Sequence, residues 1–389
     1  MPLTYCLNVH PGETWDENFA TLRTTVLAVR DLVSPGRPFG LGLRLSAEAA
    51  TTLQSTVRTT EFSAFLQSEN LHVLTVNAFP YGRFHGGPVK ENVYAPDWRS
   101  PKREVYTHQV ACVLASLIPA GSFASISTVP CSWKEWIYSP SDIPLILENL
   151  TDSVAHCARI AMHQGRDILI ALEPEPGCLL ETTPETIAFF NELLFTEGAT
   201  MLAAKLRSSH ASAAALIRHH LGVCLDTCHA ALQFEDPAES LRLYQAEGIR
   251  VPKIQISSAL SIENTEGALE SLRPFAEPVY LHQVKARLAS GQILSWTDLP
   301  QALTALPSIG PAEIRVHFHV PLHFTSAGPL HSTAPLLSSD FLSRIPSLPE
   351  THLEIETYTW DVLPPSLRST TIEQSIAAEF QWLKDRRCS

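Results

Sequence analysis

The chain has 389 residues, of which 45% are hydrophobic and 17% are charged, and its formal net charge is −12. This composition allows a large core and excludes an intrinsically disordered chain. The negative charge disfavours binding of nucleic acid through a broad basic surface, so we expect no nucleic-acid partner.

Compartment and solubility follow from the same numbers. No run approaches the roughly 20 consecutive apolar residues of a membrane span, so we expect none. The first residues show no basic segment followed by an apolar one, which predicts no signal peptide. The eight cysteines, at positions 6, 112, 131, 157, 178, 224, 228 and 388, show neither CxxC nor zinc-ribbon spacing. We therefore predict free thiols and a cytoplasmic location.

Short apolar runs alternate with longer helical patterns along the chain. The predicted strands cover residues 5–9, 39–45, 71–79, 122–129, 168–172, 222–226, 252–257, 314–320 and 352–357. The predicted helices cover residues 18–32, 47–67, 101–117, 141–164, 184–194, 199–219 and 371–384. A hairpin is also predicted within residues 279–296, with Ser290 and Gly291 at its turn.

This alternation predicts βα units, a parallel sheet and an α/β fold. About eight units in one chain indicate a (β/α)8 TIM barrel, formed by a single domain over residues 1–389. A doubly wound sheet is the alternative, but the turn after the first strand lacks the GxGxxG pattern that such sheets usually carry. Nine candidate strands are one too many for a barrel. One of the last three must therefore lie outside it, and the hairpin is expected to be an insertion.

Polar residues gather on one face of the strands, towards their carboxyl ends. Side chains alternate along a strand, and the apolar residues of most runs share one parity. This pattern is typical of a barrel with its active site at the carboxyl ends of the strands. Glu354 lies two residues before Glu356 on the same strand face and therefore deeper in the barrel, where it is expected to pair with Arg44. The candidate site residues of polar parity are Asn8, His10, Arg44, Asn77, Glu173, Asp226, Gln255, His317, His319 and Glu356.

The carboxylates and imidazoles of this set suit a divalent metal ion. Glu173, Asp226 and Glu356 are the strongest ligand candidates, and His317 and His319 are the best imidazole donors. A buried carboxylate is costly unless a cation, hydrogen bonds or a proton compensates it. Mn²⁺, Mg²⁺, Fe²⁺ and Zn²⁺ all accept ligands of these types.

Glu173, the motif Asp226-Thr-Cys-His229 and Glu356, each at a strand end, resemble the xylose-isomerase-like TIM-barrel superfamily. The resemblance implies that Glu173 and Glu356 bind the metal and move a proton, that Asp226 is a ligand, and that His229 orients substrate. The family carries a histidine on strand seven, where this chain has Gln255. Either His317 or His319 substitutes for it, or the metal binds weakly.

Five further motifs, spanning residues 4–15, 41–45, 79–85, 317–321 and 353–364, resemble the EboE family of metabolite-traffic proteins. The resemblance covers nearly the whole chain. It implies a role in the export of a small metabolite, with other proteins of the same export pathway as partners. The loop after strand three belongs to these motifs, and Tyr81, Arg83 and His85 in it are candidate substrate contacts because such a loop can close over a ligand.

Three functions agree with these observations. The first is a metal-dependent sugar isomerase or epimerase that acts on a small metabolite. The second is a non-catalytic protein that binds the metabolite and passes it along an export pathway. The third, a metal-dependent phosphodiesterase of the barrel-endonuclease type, is disfavoured by the acidic net charge.

Overall fold

The computed structural model describes residues 3–265, 267–345, 351–368 and 370–387. Eight strands form one parallel sheet in the order β1-β14-β7-β6-β5-β4-β3-β2. A parallel bridge between Cys6 and Gly42 brings its two edges together, so the sheet is a nearly closed barrel. The predicted TIM barrel is confirmed. The barrel strands are β1 (Leu3–Tyr5), β2 (Phe39–Arg44), β3 (Leu71–Asn77), β4 (Phe123–Thr128), β5 (Asp167–Leu172), β6 (Leu221–Asp226), β7 (Lys253–Ile256) and β14 (His352–Ile355).

Helices follow most of the barrel strands. Thr182 caps α7 (Thr183–Ala188) in a reciprocal capping box with Glu185, so this helix begins one residue before the predicted range of 184–194. No helix in the described ranges combines the length and apolarity needed to cross a membrane. The helices are α1 (Trp15–Thr21), α2 (Leu27–Val33), α3 (Ala47–Thr52), α4 (Thr56–Ser68), α5 (Pro101–Leu117), α6 (Asp142–Gln164), α7 (Thr183–Ala188), α8 (Ala199–Leu206), α9 (His210–His220), α10 (Thr227–Leu232), α11 (Pro237–Ala246), α12 (Leu299–Ala305), α13 (Ser339–Arg344) and α14 (Ile372–Arg387).

A second sheet, of six antiparallel strands, is inserted between β7 and β14. The predicted hairpin is its β9–β10 pair, and Gly291 in the turn has a φ of +86°, which glycine adopts without strain. The run predicted at 314–320 is strand β11 of this sheet, so it is the surplus strand that lies outside the barrel. The inserted strands are β8 (Ala259–Glu263), β9 (Val284–Leu288), β10 (Ile293–Trp296), β11 (Ala312–His319), β12 (Ser326–Ala327) and β13 (Leu330–Ser332).

The first strand is shorter than its apolar pattern predicts. It ends at Tyr5, and residues Leu7–Val9 form a 3₁₀ turn instead of extending the strand. The turn places Asn8 over the carboxyl end of β14, where its side chain donates a hydrogen bond to Glu356. The strict alternation assumed for residues 5–9 therefore does not apply beyond Tyr5.

A buried ion pair lies inside the barrel below the strand ends. Lys253 Nζ on β7 lies 2.6 Å from Glu354 Oε2 on β14, and neither side chain is exposed to solvent. The expected pairing of Glu354 with Arg44 is wrong, since Glu354 lies level with Gly42, two residues below Arg44 on β2. Arg44 reaches the barrel mouth instead and pairs with Glu13 at 2.6 Å.

The cysteines of the described chain are all free thiols, as the sequence predicts. Cys112 is exposed and the other six are buried. Cys388 lies outside the described residues.

Candidate metal centre

Three carboxylates from different strands converge at the carboxyl end of the barrel. Glu173 follows β5, Asp226 ends β6 and Glu356 follows β14. One oxygen of each lies within 4.8 Å of an oxygen of the other two, and all three side chains are buried. The predicted alternation of polar residues therefore brings together the three acidic residues that the sequence singles out.

Hydrogen bonds fix two of these carboxylates in place. Asp226 caps helix α10, and its Oδ1 accepts from the backbone N–H of Cys228 and of His229 at 2.7 and 3.0 Å. The Ser257 hydroxyl donates to the same oxygen at 2.7 Å. Glu356 Oε1 accepts from the amide groups of two further residues, Asn8 at 2.6 Å and Asn77 at 3.3 Å.

Within the described residues, one buried oxygen of each carboxylate has no hydrogen-bond partner. These oxygens are Oε2 of Glu173, Oδ2 of Asp226 and Oε2 of Glu356. His319 adds an unpartnered buried nitrogen: its Nδ1 lies 2.9 Å from the backbone oxygen of Glu356, which leaves Nε2 as the lone-pair atom. A ligand atom of His319 lies within 4.8 Å of Asp226. Three carboxylates and one imidazole with free lone pairs fit a divalent metal ion.

Of the two histidines that could substitute for a histidine at Gln255, His319 is the one with a ligand atom beside Asp226. It comes from β11 of the inserted sheet and not from barrel strand seven. Gln255 pairs in register with Asp226 and Glu354, and its Oε1 accepts from the Cys224 thiol at 3.1 Å. It does not line the cavity described below.

The electrostatics of the set reflect burial without a cation. Burial, followed by the charges of neighbouring carboxylates, raises the pKa of Glu173 to about 8 and raises that of Glu356 well above its ordinary value. Burial also acts to raise the pKa of Asp226, but His229 and His319 outweigh it and the pKa is lowered. Burial lowers the pKa of His319 to about 4, which favours a neutral ring able to bind a metal. A bound cation would compensate the buried carboxylates.

Two more histidines and one more glutamate adjoin the three carboxylates. His229 Nε2 lies 3.2 Å from His317 Nε2, and a ligand atom of Glu175 lies within 4.8 Å of both rings. His317 lies within ligand distance of Glu175 and His229, and also of Cys228 and His319, but it does not join the group of the three carboxylates.

The site opens into a cavity of about 60 Å³ that reaches solvent. Phe84, Tyr280 and Tyr358 pack together at this opening, with ring centroids 5.0 to 5.5 Å apart. Lys90 Nζ lies 2.7 Å from the backbone oxygen of Tyr280 and joins the loop after β3 to the loop before β9. Aromatic faces over a polar floor suit a small, polyhydroxylated ligand.

Of the remaining residues predicted to contact substrate, some line the cavity and others bond to neighbouring protein groups. Asn8 and Asn77 line the cavity. Arg44 donates to the backbone oxygens of Gly12 and Gly82, and His10 Nε2 lies 2.9 Å from the Tyr5 hydroxyl.

The loop residues Tyr81, Arg83 and His85 lie behind the cavity wall. Tyr81 packs against Tyr106, and Arg83 donates to backbone oxygens within its own loop. His85 Nδ1 lies 2.8 Å from the hydroxyl of Tyr280 and supports the aromatic opening from behind.

Several residues of the site have no place in the sequence-based set. Glu175 lies in the Glu-Pro-Glu motif two residues after Glu173. This spacing puts both side chains on the same face of the strand, and it was the sequence signal that could have identified Glu175. Ser257 follows β7 and has the polar parity of that strand. Tyr94, which donates to Glu175 at 2.7 Å, and Tyr358 lie at the ends of 3₁₀ helices of five residues, which are too short for a period to indicate the direction of a side chain.

Comparison with known proteins gives the fold. No protein-family model and no curated protein matches the sequence. Among solved structures, a xylose isomerase domain protein from Planctomyces limnophilus is similar over 93% of this chain and 92% of its own, at 13% identity and a TM-score of 0.50. An L-ribulose 3-epimerase is similar over 100% and 95% at 12% identity and a TM-score of 0.48. The IOLI protein with a bound zinc atom is similar over 100% and 98% at 13% identity and a TM-score of 0.46. The chain has a xylose-isomerase-like TIM-barrel fold.

Proposed function

We propose that the protein is a metal-dependent isomerase or epimerase that acts on a small polyhydroxylated metabolite. One observation carries this proposal: Glu173, Asp226 and Glu356 converge beside a cavity at the barrel mouth, each with a buried, unpartnered oxygen, and His319, with an unpartnered Nε2, adjoins Asp226. Such atoms are costly to bury unless a ligand satisfies them.

The same four residues would hold the ion. When bound, a divalent metal would polarise a carbonyl or hydroxyl oxygen of the substrate and so acidify the hydrogen on the neighbouring carbon. Asp226 is held by three hydrogen bonds and serves as the fixed ligand. His319 is oriented through its Nδ1 contact with the backbone of Glu356.

Glu173 and Glu356 are placed to move the proton. They follow strands β5 and β14, which β6 and β7 separate in the barrel, so they approach the cavity from different sides. A carbon between them can lose its proton to one carboxylate and receive a proton from the other, which inverts the carbon or shifts the carbonyl. His229 lies beside them in the cavity wall.

The metabolite class follows from the site and from the sequence together. The cavity combines carboxylate, amide and imidazole groups with the rings of Tyr94, Tyr280 and Tyr358, which suits sugars and cyclic polyols. The EboE-like motifs support a role in metabolite traffic, with other proteins of an export pathway as partners. A non-catalytic carrier is the second candidate, which the same motifs favour.

Exchange of substrate hydrogen with solvent tests the proposal directly. The protein is stripped of metal, reloaded with Mn²⁺, Co²⁺, Zn²⁺ or Mg²⁺, and incubated in D₂O with a panel of ketoses, aldoses and cyclic polyol ketones. NMR should show deuterium at one carbon beside a carbonyl group for the wild type, and none for Glu173→Gln or Glu356→Gln. Glu197→Gln, an exposed position on the outer helices, is the matched control. A metal-loaded wild type that binds a member of the panel but exchanges no hydrogen in it would contradict the enzyme proposal and favour the carrier.

A further inference from the structure

We infer that a second metal ion binds between Glu175, His229 and His317, next to the carboxylate site. The second ion would lie in the cavity in which the proposed reaction takes place, and the inference rests on the proposed function to that extent. It does not depend on which reaction takes place there. It adds an ion-binding set that is rich in nitrogen to one that is rich in oxygen.

The ring of His229 carries its hydrogen on Nδ1. This atom lies 2.9 Å from the backbone oxygen of Pro174, and a carbonyl oxygen can only accept a hydrogen bond. In the neutral ring, Nε2 is therefore a bare lone pair. That lone pair points at His317.

The ring of His317 is in the same tautomer. Its Nδ1 lies 2.7 Å from Oε1 of Gln283. The orientation of that amide is fixed from its other end, because Nε2 of Gln283 donates to the backbone oxygen of Pro176 and to the Tyr94 hydroxyl, each at 2.9 Å. His317 Nδ1 is thus a donor, and its Nε2 is also a lone pair.

In their neutral forms the two rings would direct these lone pairs at each other across 3.2 Å, and both side chains are buried. Two acceptors at this distance repel unless a cation or a shared proton lies between or beside them. Glu175 supplies a third ligand atom, which lies within 4.8 Å of one nitrogen of each ring, and the Tyr94 hydroxyl holds that carboxylate by donating to Oε1 at 2.7 Å. Every member of the set therefore has a neighbour that fixes its orientation, as metal ligands usually have.

The ligand types select the ion. Two imidazole nitrogens and one carboxylate oxygen suit Zn²⁺, Fe²⁺ or Co²⁺, and they suit Mg²⁺ poorly because that ion prefers oxygen. Three protein ligands leave at least one position for water or a substrate oxygen. We therefore place a zinc-type ion here, distinct from the ion that Glu173, Asp226, His319 and Glu356 would hold.

Zinc stoichiometry tests the inference without any substrate. Metal-free protein is dialysed against buffered Zn²⁺ and its bound zinc is measured by mass spectrometry. We expect two equivalents for the wild type and one for His317→Gln. Glu356→Gln should weaken the first ion and leave the second. Glu175→Gln is nearly isosteric and repeats the His317 test if that variant fails to fold. His210→Gln, at an exposed position, is the control and should keep two equivalents.

The possible outcomes separate this inference from the proposed function. One equivalent in the wild type that His317→Gln retains would mean that the two rings share a proton, and the second site would be refuted while the first stands. Two equivalents in His317→Gln would also refute it, because the second ion would then lie elsewhere. Two equivalents that fall to one in His317→Gln, in a protein without isomerase activity, would support the second site and refute the reaction.

Discussion

Replacement of Glu173 by Gln should stabilise the metal-free protein at neutral and alkaline pH. In the folded chain the pKa of Glu173 is raised to about 8 from an ordinary value of 4.5, first by burial and then by Asp226 and Glu175. Between these two pH values the folded protein holds a proton that the unfolded chain has lost. The stability of the wild type therefore falls as the pH rises through this window, and a glutamine, which does not ionise, removes the fall.

The size of the effect follows from the same two values. A difference of about 3.5 pH units at ~1.4 kcal/mol for each gives about 5 kcal/mol, of which roughly 4 kcal/mol is lost by pH 8. Wild type and Glu173→Gln should have similar stability at pH 4.5, where the carboxyl group is largely protonated in the folded state. At pH 8 the variant should be more stable by a few kcal/mol.

Urea denaturation in the presence of a chelator at pH 5 and pH 8 measures this difference. Zn²⁺ should then stabilise the wild type at pH 8 and stabilise the variant much less, since the variant lacks one charged ligand. Glu197→Gln, which alters an exposed glutamate, should change neither result. If Glu173→Gln is no more stable than the wild type at pH 8 without metal, ionisation of Glu173 does not destabilise the folded chain, and its pKa is not raised there.

Three further changes test the supports of the site. Ser257→Ala removes the hydroxyl that donates to Asp226 and should weaken metal affinity about 10- to 100-fold in a chelator competition assay, whereas the exposed Ser208→Ala should not. Lys253→Met leaves Glu354 buried without its cation and should cost about 3–5 kcal/mol in urea denaturation; the double variant with Glu354→Met should recover most of it, and an equal loss in both variants would contradict the ion pair. Gly42→Ala would place a Cβ 2.0 Å from Glu354 Oε1 and 2.8 Å from the backbone oxygen of Tyr5, so we expect a loss of about 1–3 kcal/mol, against little change for Gly82→Ala, which has open space around it.

Strand parity predicts the acidic part of the site well, for a simple reason. Glu173, Asp226 and Glu356 each stand at the end of an unbroken apolar run, and a parallel barrel brings such ends to one place. The register of the barrel is set by its buried faces, so a residue of known parity has a known direction. The same reasoning failed at Arg44, because a long side chain at the mouth reached the Glu13 carboxylate and two backbone oxygens.

The histidines were harder to place from the sequence. His317 and His319 were found as candidates, but the pattern could not show whether their run belonged to the barrel. Outside the predicted hairpin, the remaining inserted strands are short, β8 with five residues, β12 with two and β13 with three, so no period identifies them. Parity also puts His317 and His319 on one face, whereas a register shift between Val316 and His319 lets their rings contact different partners.

The order in which these ligands occur along the chain has a consequence for protein synthesis. Glu173 and Asp226 lie within the first 226 positions, but His319 and Glu356 lie beyond the inserted sheet, and Asn8 bonds to Glu356 across 348 positions. A nascent chain that has emerged only as far as β7 carries two of the four ligands and cannot close the barrel. Contacts of such long range form late. The four proposed ligands can therefore meet only after the inserted sheet and β14 have left the ribosome, so an ion that needs all four binds later than the synthesis of β1 to β7.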